Sequence, residues 1–403
     1  MTESLTEKIE SAVAALKRGE LIIVADSPDR EAEGDMVGLA DYVSAETVNT
    51  MITKARGLLC VPMAAPVASR LGLQSMLRND QDAFGTKFTS SVDSQKTSTG
   101  ISAFDRATTI RALADGKTTW DDFYHPGHVF PLIAEKGGVL ARGGHTEAAV
   151  DLAHLAGASP VAYICEIIKK NGRMARQKDL KALAEGIGMP MITIAELAAY
   201  LYAHNESVVS LIDEAALPTM FGQFKIKAFQ VLDEPQPALV ISKGEITGAS
   251  SLLTRLHSEC FTGDVLGSLR CDCGEQLHAA LQAIETAQLG AVLYLRQEGR
   301  GIGLGNKIRA YHLQDQGLDT VEANEALGFK ADERHYGVAA AILHELGVKS
   351  VNLMTNNPDK LAQLQKLEVQ VDARVPLEMA PNQHDEAYLK TKKTRFNHLL
   401  SEV

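Results

Sequence analysis

Cys260, Cys271 and Cys273 fall within fourteen positions of one another in HSECFTGDVLGSLRCDCGEQL, and no fourth cysteine lies nearby. Three thiolates at this spacing suit a catalytic zinc, whose open fourth position holds a water acidified toward a pKa of roughly 7. A closed Cys3His knuckle with His257 as fourth ligand, or three buried thiols, fits the same spacing. In RQEGRGIGLGNKIRAY, Gly299, Gly301, Gly303 and Gly305 surround Arg300, and Lys307 and Arg309 follow. Such a loop can bring backbone N–H groups to a phosphate and add charge-assisted bonds, although a flexible turn reads the same way. Gly116-Lys117-Thr118 imitates a Walker ending, but Arg111 stands where the first glycine belongs, so the match is rejected.

The N-terminal half carries a different chemistry. DREAEGDM packs Asp29, Glu31, Glu33 and Asp35 into seven positions after a strand-like run. That makes either an oxygen-ligand site for a hard cation or a solvated acidic loop. GGVLARGGHTEAAVDLAHLAG sets Arg142, Gly143, Gly144, His145, Thr146 and Glu147 at an apparent helix start, a place that suits an anion. HPGHVFPL adds His125 and His128. Glu166 lies in the apolar VAYICEII, where burial would raise its pKa and fit it for proton transfer, unless it is paired with an internal arginine.

These residues need a scaffold, and 403 residues suffice for two domains. Alternating strand-like and helix-like segments predict an α/β (α+β) two-domain protein with mixed sheets. In the first half the pattern predicts a helix over 5–18, strands at 19–26 and 161–168, a turn at Asn171-Gly172, a helix over 178–187 and a strand at 190–194. Residues 202–212 lack periodicity, which places a boundary there and gives domains 1–204 and 205–403. In the second half KIKAFQVL, QPALVIS, LLTRLHSE and GAVLYLRQ read as strands and 274–289 as a helix. Asn357-Pro358 reads as a helix start.

The formal charge of −11 disfavours a nucleic-acid partner but leaves small phosphorylated substrates open. No apolar run is long enough for a membrane span, and the N-terminus carries mixed charge, so the expectation is a cytoplasmic protein without a membrane partner. Five cysteines in a reducing compartment argue for metal binding or burial rather than disulfides.

From about residue 215 to 400 the chain resembles GTP cyclohydrolase II. The resemblance places zinc ligands at Cys260, Cys271 and Cys273, and GTP contacts at Arg255, Leu256, His257, Ser258, Glu259, Gln276, Glu298, Gly299, Arg300, Thr320, Thr355 and Lys360. It also implies a catalytic Tyr311, a general base at Asp332, Mg2+ with the triphosphate, and a nucleophilic Arg334, for which a phosphate-binding role is the alternative. Gly305 departs from the bulkier residue common there. Over residues 5–200 the chain resembles 3,4-dihydroxy-2-butanone 4-phosphate synthase, on the segments above together with TSTGISAFDRATTI and NGRMAR. This implies Mg2+ or Mn2+ on Glu31 and His145, and essential residues at His128 and Glu166. Ribulose 5-phosphate contacts are implied at Arg30, Glu31, Asp35, Arg142, Gly143, Gly144, His145, Thr146 and Glu166. Ala32 replaces the usual Asn or Asp. The two resemblances together imply a bifunctional, homodimeric enzyme of riboflavin biosynthesis acting on GTP and ribulose 5-phosphate. A cyclohydrolase whose N-terminal half is only regulatory or structural is the alternative.

Overall fold

The computed structural model describes residues 4–28, 30–77, 83–205 and 207–401, so Asp29 of the acidic loop lies outside the described residues. The chain divides into two compact units, Met1–Tyr200 and Leu201–Val403.

The first unit begins with the helix Leu5–Lys17, started by a reciprocal capping box between Ser4 and Glu7. Ile9, Val13 and Leu16 form its buried face. Among the described residues eight strands follow: β1 Ile22–Ala25, β2 Gly34–Leu39, β3 Arg56–Met63, β4 Lys87–Phe88, β5 Val92–Ser94, β6 Phe123–Ile133, β7 Ala162–Ile167 and β8 Met191–Thr193. They join in the order β4-β6-β3-β7-β2-β1-β8, with β5 on β6. The contiguous antiparallel pairs β3/β7, β2/β7 and β1/β2 are flanked by parallel β3/β6 and β1/β8, making a mixed sheet. Strands buried on both faces read as continuous apolar runs, which is why IIVA and AYICEI stood out in the sequence.

The second unit holds β9 Val209–Thr219, β10 Gly222–Val231, β11 Ala238–Lys243, β12 Leu252–Ser258, β13 Gly290–Leu295, β14 Val351–Met354 and β15 Val371–Val375. Their order is β15-β14-β12-β13-β11-β10-β9. The four strands β12 to β15 pair in parallel, while β9, β10, β11 and β13 run as an antiparallel meander. Asn357 caps the helix Pro358–Lys366 by accepting from Asp359 N at 3.0 Å.

One sequence reading needs correction. Residues 209–212, taken as part of an aperiodic linker, begin β9, an edge strand whose residues from Ser210 to Ala216 are exposed. An edge strand open on both faces has no reason to alternate apolar and polar residues, so periodicity misses it.

Tyr163 of β7 lies across Gly38 of β2, and its hydroxyl donates to Thr47 Oγ1 at 2.7 Å. A Cβ on residue 38 would stand 2.5 Å from the ring. Gly38→Ala is expected to lower the stability of this unit by about 1–3 kcal/mol. Thermal unfolding followed by tryptophan fluorescence measures it, since Trp120 is the chain's single tryptophan and belongs to this unit. An unchanged transition would mean that the ring can withdraw without loss.

Candidate active sites

In the first unit β1 and β2 deliver an acidic loop to the sheet end. Asp26 follows β1 and is buried; it accepts from Glu31 N at 3.1 Å and Glu33 N at 2.8 Å, so one carboxylate shapes the whole loop. One of its oxygens, a Glu31 oxygen and a His145 ring nitrogen all lie within 4.8 Å of one another. His145 opens the helix His145–Ala156, and its buried Nε2 has no hydrogen-bond partner. Burial lowers the imidazole pKa to about 4, against the pull of Asp26. A neutral, unpartnered ring nitrogen beside two carboxylates is a donor set for a divalent cation. Sequence reasoning missed Asp26, although it ends the strand-like run preceding the loop.

Glu166 stands directly opposite Asp35 in the β2/β7 register. Burial raises both carboxyl groups, and their mutual repulsion adds to the rise at Asp35. Leu58 N donates to Glu166 Oε2 at 2.7 Å, and a Cβ at Gly57 would lie 2.4 Å from the Glu166 carbonyl, so glycine there admits the carboxylate. Arg142 pairs with Glu147 and donates from Nε to Phe84 O at 2.9 Å, while the Arg30 guanidinium lies 5.3 Å from the Phe84 ring. Thr146 is buried in the first turn after Gly144, which provides no side-chain cap. Arg30 also pairs with Glu31 at 2.7 Å.

His128 sits on β6 with Nδ1 2.6 Å from Asp93 Oδ2, and its backbone N donates to Asp93 Oδ1 at 2.9 Å. Asp93 escaped the sequence reading, having no motif of its own. Gly100 makes the dyad possible, since a Cβ there would lie 2.0 Å from Asp93 Oδ2. The dyad is on the opposite side of β3 from Glu166. His125 instead stacks on Trp120 with ring centroids 3.5 Å apart.

In the second unit the three sulfurs of Cys260, Cys271 and Cys273 lie within 4.8 Å of one another. Cys260 follows β12 by two residues, and Cys273 begins the helix Cys273–Ala287. Hydrogen bonds from the neighbouring thiols, with Lys307 in support, pull the Cys260 pKa down. Lys307 Nζ reaches Cys260 Sγ at 3.1 Å, Thr262 Oγ1 at 2.9 Å and Glu298 Oε1 at 2.8 Å. His257 does not join the sulfurs: its Nε2 lies 3.1 Å from both oxygens of Asp264, which also accepts from Tyr294 OH at 2.8 Å.

Two adjoining lobes, of about 670 and 610 Å³, share Ser258, Cys273, Arg300, Arg334 and Tyr388. The first reaches the sulfurs, Tyr311 and Thr320. The second is lined by Arg255, Arg300, Arg334, Lys360 and Lys392, and by no carboxylate among the described residues. Burial lowers the Lys360 pKa well below the usual range, with Arg255 and Arg334 adding to the fall. An anion would relieve that crowding. Arg255 donates to Met354 O at 2.9 Å and to Gln276 Oε1, while Lys360 Nζ donates to Leu256 O at 2.7 Å. The Leu256 side chain is fully buried, which leaves its carbonyl as its polar contribution. Glu259 pairs with Arg296 at 3.0 Å, Glu298 caps its own loop through Gly299 N at 2.9 Å, and Thr355 is buried under Asn357. Asp332 grips Arg334 through Nε at 2.9 Å and through Nη2. Although burial opposes it, contact with Tyr336 and Asp332 raises the Arg334 pKa.

Two mixed α/β units, one with a carboxylate–imidazole cluster and one with a triad of cysteine sulfurs beside a cationic cleft, define a two-domain enzyme with two separate chemistries. The 3,4-dihydroxy-2-butanone 4-phosphate synthase family matches residues 10–200, and the GTP cyclohydrolase II family matches residues 210–376. "Riboflavin biosynthesis protein RibBA" of Bacillus cytotoxicus is 52% identical over 394 residues, covering 98% of this chain and 99% of that protein. The Bacillus mycoides protein of the same name is 51% identical over the same length. Among solved structures, RibBX of A. baumannii, described as a two domain 3,4-dihydroxy-2-butanone 4-phosphate synthase, aligns with a TM-score of 0.67 at 33% identity, covering 91% of this chain and 99% of that one. The chain belongs to the RibBA family of riboflavin biosynthesis proteins. It is bifunctional, a lyase domain followed by a hydrolase domain.

Two predictions follow from the acidic loop. Ala32 holds a left-handed backbone at φ 57, which costs a β-carbon about 1 kcal/mol, so Ala32→Gly or Ala32→Asn should stabilise the cation-free unit by a few tenths to 1 kcal/mol in chemical denaturation. His145 has a folded pKa of about 4 against 6.5 unfolded, so the unfolded chain binds the extra proton between those values. Its stability contribution is therefore intact above pH 6.5 and is lost as pH falls toward 4, by on the order of 3 kcal/mol. Comparing denaturation at pH 7 and pH 4.5 for the metal-free parent and His145→Gln checks this, because the variant should lose correspondingly less.

Proposed function

We propose that the first unit converts ribulose 5-phosphate to 3,4-dihydroxy-2-butanone 4-phosphate and formate. The second hydrolyses GTP to 2,5-diamino-6-ribosylamino-4(3H)-pyrimidinone 5′-phosphate, formate and pyrophosphate. The observation that supports both at once is the presence of two full donor sets in one chain, Asp26–Glu31–His145 and Cys260–Cys271–Cys273.

In the first site Glu31 and His145, backed by Asp26, would hold Mg2+ or Mn2+; the unpartnered His145 Nε2 fits this. Such a cation supplies positive charge beside the sugar hydroxyls. Arg142, Gly143, Gly144, His145 and Thr146 form the helix start that receives the phosphate. Glu166, kept protonatable by burial, moves protons at the sugar carbons. Asp93 fixes the His128 ring through Nδ1, leaving Nε2 to exchange a second proton. Arg30 and Asp35 position the substrate.

In the second site the three cysteine sulfurs would hold zinc, and the engagement of His257 by Asp264 supports an open fourth position. Zinc held there would supply an acidified water for hydrolysis at guanine C8. Tyr311, 3.4 Å from Thr262 Oγ1, donates a hydrogen bond to the opening ring. Arg255, Arg300, Arg334 and Lys360 bind the triphosphate with its Mg2+, and Gln276, Thr320 and Thr355 complete the pocket. Arg334 serves as a charged phosphate ligand rather than a nucleophile, because the Asp332 fork stabilises its proton. The protein works in the cytoplasm as a homodimer in this reading, and no described helix is long and apolar enough to cross a membrane.

Formate release from ribulose 5-phosphate with Mg2+ and without GTP separates the two halves. The parent and Cys271→Ser should release formate equally, and Glu31→Ala should fall by about 100-fold or more. With GTP alone the order reverses, and Cys271→Ser should also lose zinc by metal analysis. A folded parent that opens GTP but never cleaves ribulose 5-phosphate would reduce the first unit to a regulatory or structural role.

A further inference from the structure

The cyclohydrolase family match ends at residue 376, yet the helix Glu386–Phe396 beyond it brings Tyr388, Lys392 and Phe396 into the cationic lobe. Lys392 anchors this helix through an ion pair with Asp272, the residue between two of the thiolate ligands. Arg395 ties its far end to Asp319 at 3.0 Å. The same helix meets Arg300, whose guanidinium carbon lies 4.4 Å from the Phe396 ring centroid and 5.7 Å from that of Tyr388. Arg300 occupies a left-handed backbone at φ 61 and ψ 34 just after Gly299 at φ 63, so no regular element fixes its direction. Its buried Nη1 has no hydrogen-bond partner.

Two arginines in one cleft are thus held in opposite ways. Asp332 holds Arg334 and consumes donors and charge in doing so, whereas an aromatic face holds a guanidinium while leaving its N–H groups and its charge available. We propose that Phe396 and Tyr388 are positioning residues for the nucleotide reaction, gripping Arg300 by its faces so that Nη1 stays free for a phosphate oxygen of GTP. Lys392 sets the helix that presents them. The assignment rests on reading the cleft as the GTP site.

Binding of an α,β-methylene-bridged GTP analogue, which cannot release pyrophosphate, to the full chain, with KM and kcat for GTP opening alongside, tests the assignment. Phe396→Leu should weaken binding and raise KM by about fivefold to tenfold, while Phe396→Tyr, which keeps the face, stays near the parent. Arg300→Met should weaken binding further, and adding Phe396→Leu to it should cost nothing more, since the ring acts through the guanidinium. Additive losses in the double variant, or parental affinity in Phe396→Leu, overturn the proposal. Tyr388→Leu gives a second route should Phe396→Leu unfold, and formate release from ribulose 5-phosphate with the melting curve reports folding. A parent that binds no analogue and opens no GTP overturns the nucleotide reading itself, and the positioning roles with it. Weakening by Arg300→Met alone, with Phe396→Leu silent, leaves that reading standing and removes only the aromatic grip.

Discussion

Like charges confined in poorly solvated space repel strongly, and each unit is organised around such a group. Asp26, Glu31, Glu33, Asp35 and Glu166 interact with one another at one sheet end of the first unit. Arg255, Arg300, Arg334, Lys360 and Lys392 line one lobe of the second. Each group is only partly balanced by its own neighbours, by Arg30 beside Asp26 and Glu31 in the first and by Asp332 on Arg334 and Asp272 on Lys392 in the second. Shifted protonation relieves part of the repulsion, as the raised Asp35 and the lowered Lys360 show. The remainder is an attraction for a ligand of opposite sign, a cation in one unit and a polyanion in the other. A chain with formal charge −11 can therefore still favour an anion locally, because short-range burial outweighs the screened net charge.

Backbone geometry is what permits the crowding. The β2/β7 register sets Asp35 against Glu166, and a one-residue slip would turn one of them to the other face. Gly57 and Gly100 leave room for Glu166 and Asp93, where any side chain would collide. In the second unit the parallel pairing of β12 with β13 and β14 brings the segment after β12, which bears Cys260, near the glycine loop after β13 and the Thr355 segment after β14. Ligands gather at the carboxyl ends of parallel strands for this topological reason.

Local features of the sequence carried much of this. The thiolate triad was legible because three ligands fall within one short segment, and Glu166 because a carboxylate in an apolar strand is conspicuous. The helix start at Asn357-Pro358 was legible because capping is a local property. What escaped depends on contacts across long sequence separations. Asp93 gains its role from His128, 35 residues away, and Lys392 from Asp272, 120 residues away. Asp26 was hidden for another reason, because the louder acidic run after it drew the reading. The edge strand β9 gave no period, having no buried face to impose one.

The three clustered sulfurs show how close thiols divide their protons. Three thiolates within 4.8 Å of each other could not all remain charged unaided, and only Cys260 has its pKa pulled down, with Lys307 among the causes, while Cys271 is raised to about 11. Lys307 is itself tied to Glu298, whose other oxygen accepts from Phe261 N at 2.6 Å, so the cation that favours the thiolate is fixed from the glycine loop. A divalent ion entering here would take over the role of Lys307 and displace the remaining thiol protons. The loop that lines the anion cleft and the segment that bears the sulfurs are thus joined through Glu298 and Lys307. Filling either lobe acts on a network that the other shares, so the three sulfurs and the cationic lobe form one polar framework.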